Sequence, residues 1–519
     1  MRGLLAQLSS LPPQQKNHRL PLSLVCLISL MAGMLLPYAL APYHWWWLAI
    51  LSPALLYACL HRRSHGQAFW IGWSYGFGLW FIGAFWLYTS IHVYGDTPAP
   101  LAIAMIAVMA ILMGLFSALQ AWVYRRFFPE TPLTFAPLWV FFEWSKTWIF
   151  TGFPWLFVGY AFTNYGLDEY APLLGIFGVS FVVIIIASAL AECLFGRRFW
   201  LIPILCVLLG AWGAKQIQWV TPKNEKPLRV SLLQGNIPQD LKWLVEYQAE
   251  TLQIYKRLSQ NEWGRDLIVW PEASIPQFQT DIQPFINDMS NQALERGSAW
   301  VTGIPYWDVQ NSSTKPLYYN AIMAKGSQAT GLYFKQRLVP FGEYIPLSGA
   351  LSWVLPALQD DITMAGFSAG HDHQPALKIN NHRLASAICY EIAYPNLTRH
   401  NAKNTDFLVT ISNDAWFTGT TAPWQHLQMV QMRAKENGRW IIRATNTGVT
   451  AFINEQGHIV KQLPMDKRMV LRGDLPAYAG ETLYSRFGDW MILLFCAGLL
   501  MLGISFKPKL VNTDFKKRR

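Results

Sequence analysis

Three polar residues stand at the ends of apolar runs: Glu272 after LIVWP, Lys335 in GLYFKQRLVPFGEYIP, and Cys389 after LASAI. Open α/β sheets present catalytic groups in this way, at strand ends. Taken singly, each has an ordinary explanation. A glutamate after a strand caps it or is solvated, a lysine beside aromatic residues covers apolar surface with its stem, and a cysteine after an apolar strand packs as a small hydrophobe. Together they complete a chemistry. A thiol nucleophile needs a base to ionise it and a positive group to hold the anions that form, and glutamate, lysine and cysteine supply those three roles.

Such residues require a sheet to hold them. From about residue 226 the pattern changes to short β-rich runs separated by polar stretches, which predicts a soluble α/β layer structure. Strands are predicted at 228–236, 267–273, 299–307, 317–325, 331–338, 384–391, 406–414 and 441–448. Helical spacing covers 245–260 and 423–438, the latter with Pro423 in its first turn and Gly438 at its end. His371-Asp372-His373 offers two ligands without a spaced third, so no metal is expected. No glycine motif that would cradle phosphate lies at a strand-helix junction, which argues against nucleotide use, and no cofactor is expected.

Before this region the chain is far greasier. The whole sequence has 519 residues, 52% hydrophobic and 15% aromatic, with a mean hydropathy of +0.18. Those figures exclude a disordered chain, a collagen-like one and a small disulfide scaffold. Five of the six cysteines fall inside long apolar runs, where a disulfide network is not expected. Eight segments have the apolar length of a membrane-spanning helix: about 21–40, 45–60, 68–92, 101–123, 134–150, 172–195, 199–217 and 488–506. The second is short, and the fifth carries Glu143 and Lys146, which are costly in lipid unless they face protein or water. The segment 151–171 is apolar and aromatic but broken by Gly152, Pro154, Gly159 and Gly166, which predicts an interfacial or re-entrant piece under the outer domain. The run Trp45, Trp46, Trp47 suits an interfacial belt.

Short loops orient these spans. Arg2, Lys16 and Arg19, then Arg62 and Arg63, Arg125 and Arg126, Arg197 and Arg198, and the tail residues Lys507, Lys509, Lys516, Lys517, Arg518 and Arg519 fall on one side of an alternating arrangement. The opposite short loops, 41–44, 93–100 and 151–171, hold no lysine or arginine. Both termini are therefore expected in the cytoplasm and the segment after the seventh span on the far side. Ala39-Leu40-Ala41 resembles a signal-peptidase site, but the run before it is of spanning length, so a retained anchor is expected. Orientation accounts for most of the net charge of +11, which removes the case for nucleic acid. The expected organisation is a polytopic α-helical membrane domain over 1–219, an α/β domain over 220–485, and a final spanning helix with a basic tail over 486–519.

In the contexts LIVWPEASIP, YFKQRLVPFGEYIP and ICYEIAYP, the order Glu272, Lys335, Cys389 resembles the nitrilase, or carbon-nitrogen hydrolase, superfamily. PFGEYIP, ICYE and SNDAWF, joined to a preceding multi-span part and one final span, are similar to the apolipoprotein N-acyltransferase family of Gram-negative and related bacteria. The resemblance covers essentially the whole chain. It implies an αββα sandwich facing the periplasm from a bacterial inner membrane, a Glu-Lys-Cys triad, and ping-pong transfer through a cysteine thioester. The implied donor is a phospholipid, phosphatidylethanolamine in this family, and the implied acceptor is the α-amine of an S-diacylglyceryl cysteine on a maturing lipoprotein. A monomer is the family default. Glu343 resembles a glutamate that supports the lysine and nucleophile, against an ordinary surface carboxylate. Tyr390 and Glu391 flank the nucleophile and would shape its pocket. Trp243 and Trp416 resemble positions on mobile arms over the site, with core tryptophans as the alternative. The competing functions are a membrane-anchored carbon-nitrogen hydrolase acting on a small amide or nitrile, and a transporter or receptor whose outer domain only binds ligand.

Overall fold

The computed structural model describes residues 20–309, 317–344 and 366–505. Arg2, Lys16, Arg19, the basic residues beyond 506, and the last two residues of PFGEYIP lie outside the described residues.

Helices occupy all eight predicted positions: Leu22–Leu35, Leu48–Leu60, His65–Gly83, Ala99–Phe127, Pro132–Ser145, Ala171–Leu194, Leu201–Lys215 and Trp490–Ser505. Among the described residues, four helical stretches are long and apolar enough to cross a membrane: Leu22–Ala39, Ala99–Phe127, Leu167–Leu194 and Arg198–Lys215. Their packing relies on small residues, since lipid gives helices no hydrophobic reason to associate. A Cβ added to Gly72 would lie 2.3 Å from the Ser117 carbonyl oxygen, so His65–Gly83 and Ala99–Phe127 approach backbone to backbone. The helix predicted to continue to residue 92 ends at Gly83 and, after a turn, resumes in a π-helix at Thr89–Tyr94. Glu143 and Lys146 turn inward. The Glu143 carboxylate accepts from Trp139 Nε1 and the Val158 N–H, both at 2.9 Å, and Lys146 Nζ lies over the rings of Trp80 and Phe157.

Residues 151–171 form no long helix. Three short 3-10 turns, Ile149–Thr151, Val158–Phe162 and Leu167–Tyr170, carry a chain whose residues 154–163 are buried. They share a core with Tyr390, Tyr394, Met429 and Met432 of the second half.

In that half, twelve strands of the described residues form one continuous hydrogen-bonded series. It runs in chain order from Leu228–Gln234 to Ile459–Gln462, with Met469–Leu475 returning antiparallel beside the first. Each end of the series contains a parallel trio: Leu228–Gln234, Leu267–Val269 and Ala299–Trp307, then His382–Ile388, Phe407–Ser412 and Trp440–Thr445. The two trios face each other across one core that includes Val230, Val269 and Val301 from the first and Ile388, Val409 and Ile442 from the second. Outside the first trio, Tyr255, Ile286 and Met289 of helices Val245–Ser259 and Gln283–Glu295 pack on Ile268 and Trp300. Outside the second, Leu427, Val430 and Ala434 of helix Ala422–Asn437 pack on Ala385, Leu408 and Ile441. The layers are therefore helix, sheet, sheet, helix. Strands buried on both faces explain why these runs read as continuously apolar.

Three strands end earlier than their apolar runs. Leu267–Val269 stops before Pro271, which has no N–H to donate, His382–Ile388 gives way to a 3-10 turn at Cys389–Ala393, and Phe407–Ser412 gives way to one at Asp414–Phe417. The chemistry-bearing residues therefore sit in the turns that follow the strands.

Candidate active site

Lys335 is the hub. It follows strand Ala329–Phe334 and is 1% exposed, with Nζ 2.8 Å from Glu343 Oε1 and 3.5 Å from Glu272 Oε1. Burial works against its charge, but the Glu343 and Glu272 carboxylates outweigh that and hold its pKa above the ordinary lysine value. Asn320 Nδ2 bridges the two carboxylates, donating to Glu272 Oε1 at 2.8 Å and Glu343 Oε1 at 3.1 Å. The Asn413 N–H reaches Glu272 Oε2 at 2.7 Å, and the Val339 N–H reaches Glu343 Oε2 at 2.8 Å. Glu272 thus receives donors from three different parts of the fold, which fixes its carboxylate in place.

Cys389 enters the turn after its strand with φ +50°, the left-handed region that a side chain occupies at a cost of about 1–3 kcal/mol. A sharp strand-to-helix turn of this kind lifts a nucleophile clear of the sheet edge. The side chain is half-buried, and burial, then the Glu272 carboxylate, push its thiol pKa well up against the pull of Lys335. At rest the proton therefore stays on sulfur.

The remaining predicted residues divide. Glu343 is not a surface carboxylate, since its oxygens hold Lys335, Asn320 and the Val339 N–H. Glu391 is fully buried, and both its oxygens serve as a brace, accepting from Tyr333 OH and from the N–H groups of Gln336, Arg337 and Ile388. Tyr390 turns away from the sheet, and its hydroxyl donates to the Gly152 carbonyl at 3.1 Å, as the Tyr394 hydroxyl does at 3.0 Å. Neither Trp243 nor Trp416 is a core tryptophan. They are 44% and 39% exposed, because each lies in a short surface turn, and the Trp416 ring meets Tyr94 of the helical half edge-on at 5.7 Å.

Sequence reasoning missed Asn320 and Lys242. Asn320 is the one amide within the run LYYNAIMAK, a polar exception that could have marked it. Lys242, in the polar stretch QDLKW, is 1% exposed and donates to the Glu272 carbonyl at 3.0 Å. Burial lowers its pKa to about 8, against the Glu272 and Cys389 charges. The site therefore contains two buried amines near one thiol, and the pull of Lys335 on the sulfur is outweighed by burial and the Glu272 carboxylate.

Residues 32–189 match the apolipoprotein N-acyltransferase N-terminal domain, and residues 229–484 match carbon-nitrogen hydrolase. The apolipoprotein N-acyltransferase of Methylococcus capsulatus is 37% identical over 95% of this chain and 98% of its own length. That of Azotobacter vinelandii is 40% identical over 92% of this chain and 93% of its own. An amidase from Nesterenkonia sp. is similar at 18% identity over 49% of this chain and 92% of that one, with a TM-score of 0.36. Identity sustained through both the helical half and the sandwich means that the chain belongs to the apolipoprotein N-acyltransferase family, with a carbon-nitrogen hydrolase domain as its second half.

Proposed function

We propose that this chain moves an acyl group from a membrane phospholipid to the α-amine of an S-diacylglyceryl cysteine at the N-terminus of a lipoprotein, with Glu272, Lys335 and Cys389 as its catalytic residues. The observation that carries this reading is the buried Glu272–Lys335–Glu343 cluster beside the Cys389 turn, which is joined through Tyr390 to the helical half.

In the first half-reaction, Cys389 Sγ bonds to the carbonyl carbon of the sn-1 ester as Glu272 takes the thiol proton. Lys335 Nζ and the backbone N–H of Tyr390 hold the oxyanion of the tetrahedral intermediate. The C–O bond then breaks, the glycerol oxygen takes the proton from Glu272, and a lysophospholipid leaves a thioester behind. In the second, the acceptor amine attacks the thioester carbon, an N–H proton passes to Glu272, and collapse forms the amide. The departing sulfur recovers that proton. An amine outcompetes water at a thioester, and a site bordered by apolar helices limits water further. Glu343 and Asn320 support Lys335, Glu391 and Tyr390 hold the nucleophile's turn, and Trp243 and Trp416 border the entrance. The donor is phosphatidylethanolamine.

The proposed organisation is a membrane domain over 1–219, the catalytic domain over 220–485 and a last span with tail over 486–519, making eight spans. The enzyme acts as a monomer in a bacterial inner membrane, with the catalytic domain periplasmic and both termini cytoplasmic. One end of the helical half supports this orientation. There Arg125 pairs with Glu130 and donates to the Arg63 carbonyl, His61 faces Glu130, and Arg197 pairs with Glu192 at 2.8 Å. The sandwich joins at the opposite loops, through Ala41, Trp155 and Asp168.

Intact-protein mass spectrometry after incubation with phosphatidylethanolamine alone tests the reading. A hydroxylamine-sensitive acyl mass is expected on the wild type and none on Cys389→Ala. No adduct, with ammonia released from simple amides, would replace it with a membrane-anchored hydrolase.

A further inference from the structure

Behind the nucleophile lies a second polar cluster that the steps above do not use. His426, on helix Ala422–Asn437, places Nε2 3.0 Å from the Cys389 carbonyl oxygen. Its Nδ1 lies 3.2 Å from both Asp414 Oδ1 and Arg443 Nη2. Asp414 in turn accepts from Arg443 Nη2 at 2.8 Å and Ser412 Oγ at 2.6 Å, and Arg443 Nε donates to the Val449 carbonyl at 3.1 Å. All three side chains are buried. Burying three ionisable groups in one place is costly unless their arrangement is mutually satisfying.

The hydrogen-bond roles follow from chemistry. A carbonyl oxygen only accepts, so Nε2 carries the hydrogen and donates. Nδ1 then faces a donor, Arg443, and an acceptor, Asp414. A neutral ring accepts from Arg443 and a protonated ring donates to Asp414, and in both cases the bond to Cys389 is kept. A trans peptide points its C=O and N–H in opposite directions. Fixing the Cys389 carbonyl therefore aims the Tyr390 N–H, which belongs to the same peptide unit. On the other side of the nucleophile, Glu391 Oε2 accepts the Ile388 N–H at 2.7 Å. The left-handed backbone at Cys389 is thus pinned before and after the residue.

We infer that His426, clamped by Asp414 and Arg443, is a positioning residue that holds the Cys389 carbonyl and thereby aims the Tyr390 N–H at the developing oxyanion. The inference rests on the acyl-transfer reading above. It predicts an effect on formation of the acyl-enzyme rather than on donor binding.

The test compares His426→Gln with His426→Asn in the full-length enzyme, by single-turnover acylation with phosphatidylethanolamine in mixed micelles. A glutamine amide reaches about as far as Nε2, whereas an asparagine amide ends near Nδ1. His426→Gln is expected to acylate within about tenfold of wild type. His426→Asn should be slower by about 10²-fold, the scale of losing one oxyanion donor, with KM for the donor unchanged. Wild-type acylation by His426→Asn, or equal losses in both variants, would overturn the inference. Should His426→Asn fail to fold, His426→Gln decides alone: within tenfold supports the role, and a 10²-fold loss removes it. A wild-type enzyme that forms no adduct would instead remove the acyl-transfer reading itself.

Discussion

Two of the helices on the outer faces of the sandwich differ in what lies beyond them. Val245–Ser259 buries Thr251, Leu252, Ile254, Tyr255 and Ser259 and shows the rest of its polar surface to solvent. Ala422–Asn437 is about as polar, reading APWQHLQMVQMRAKEN, yet every residue except Trp424 is buried. Its second face is covered by the helical half. Gln425 accepts from Trp155 Nε1, Gln428 accepts the Ala41 N–H, Lys435 pairs with Asp168, and Glu436 accepts the Ile176 N–H at the break in helix Ala171–Leu194. A polar helix can therefore be a solvated face or a joint, and only the partners tell which. In this joint Gln425, Gln428, Lys435 and Glu436 each meet a partner from the helical half, and removing one of them leaves a buried group unpaired.

That contrast can be broken by substitution. Glu436→Ala should be the most damaging, because it strands the buried Arg433 guanidinium, now 3.0 Å from Glu436, and the Ile176 N–H. A loss of about 3–5 kcal/mol is expected for a buried pair broken on one side, measured by denaturant unfolding in detergent. Survival of Glu436→Ala at wild-type stability would mean the joint is not structural. Lys435→Met should cost about 1–3 kcal/mol, less because Asp168 keeps the N–H groups of Asn164 and Gly166.

Protonation offers a finer probe. Burial raises the Glu436 pKa to about 7 from 4.5, despite the attraction of Arg433. A carboxyl whose folded pKa is raised contributes stability that is full below 4.5 and is lost as pH rises through about 7. The unfolding temperature should therefore fall between pH 5 and pH 8, and Glu436→Gln, which cannot titrate, should flatten that slope. At the solvated helix, Lys256→Ala removes a surface pair with Asp288 and should change stability by less than about 0.5 kcal/mol in the same unfolding assay.

The same distinction explains what could be read from residue order. Glu272, Lys335 and Cys389 were legible because each breaks an apolar run, which is a local signal, and helix 423–438 was legible from Pro423 and Gly438. The helices Gln283–Glu295 and Pro395–Ala402 were not, being polar elements whose apolar sides are defined by the sheet they meet. His426, Asp414 and Arg443 carried no such signal, because their pairing joins positions 25, 37 and 54 residues after Cys389. The left-handed turn at Cys389 also had no marker, since cysteine has no preference for that backbone.

The hydroxyls of Tyr390 and Tyr394 both end on the Gly152 carbonyl, a backbone atom of the helical half. The residue that follows Cys389 is thus moored to the helical half of the chain. A fragment begun at residue 220 would lose that mooring along with Trp155, Asp168 and Ile176, and with them the cover over the helix that carries His426. The outer half of this enzyme is not a detachable cassette: the turn that carries Cys389 and the helix that carries His426 are both held by the helical half.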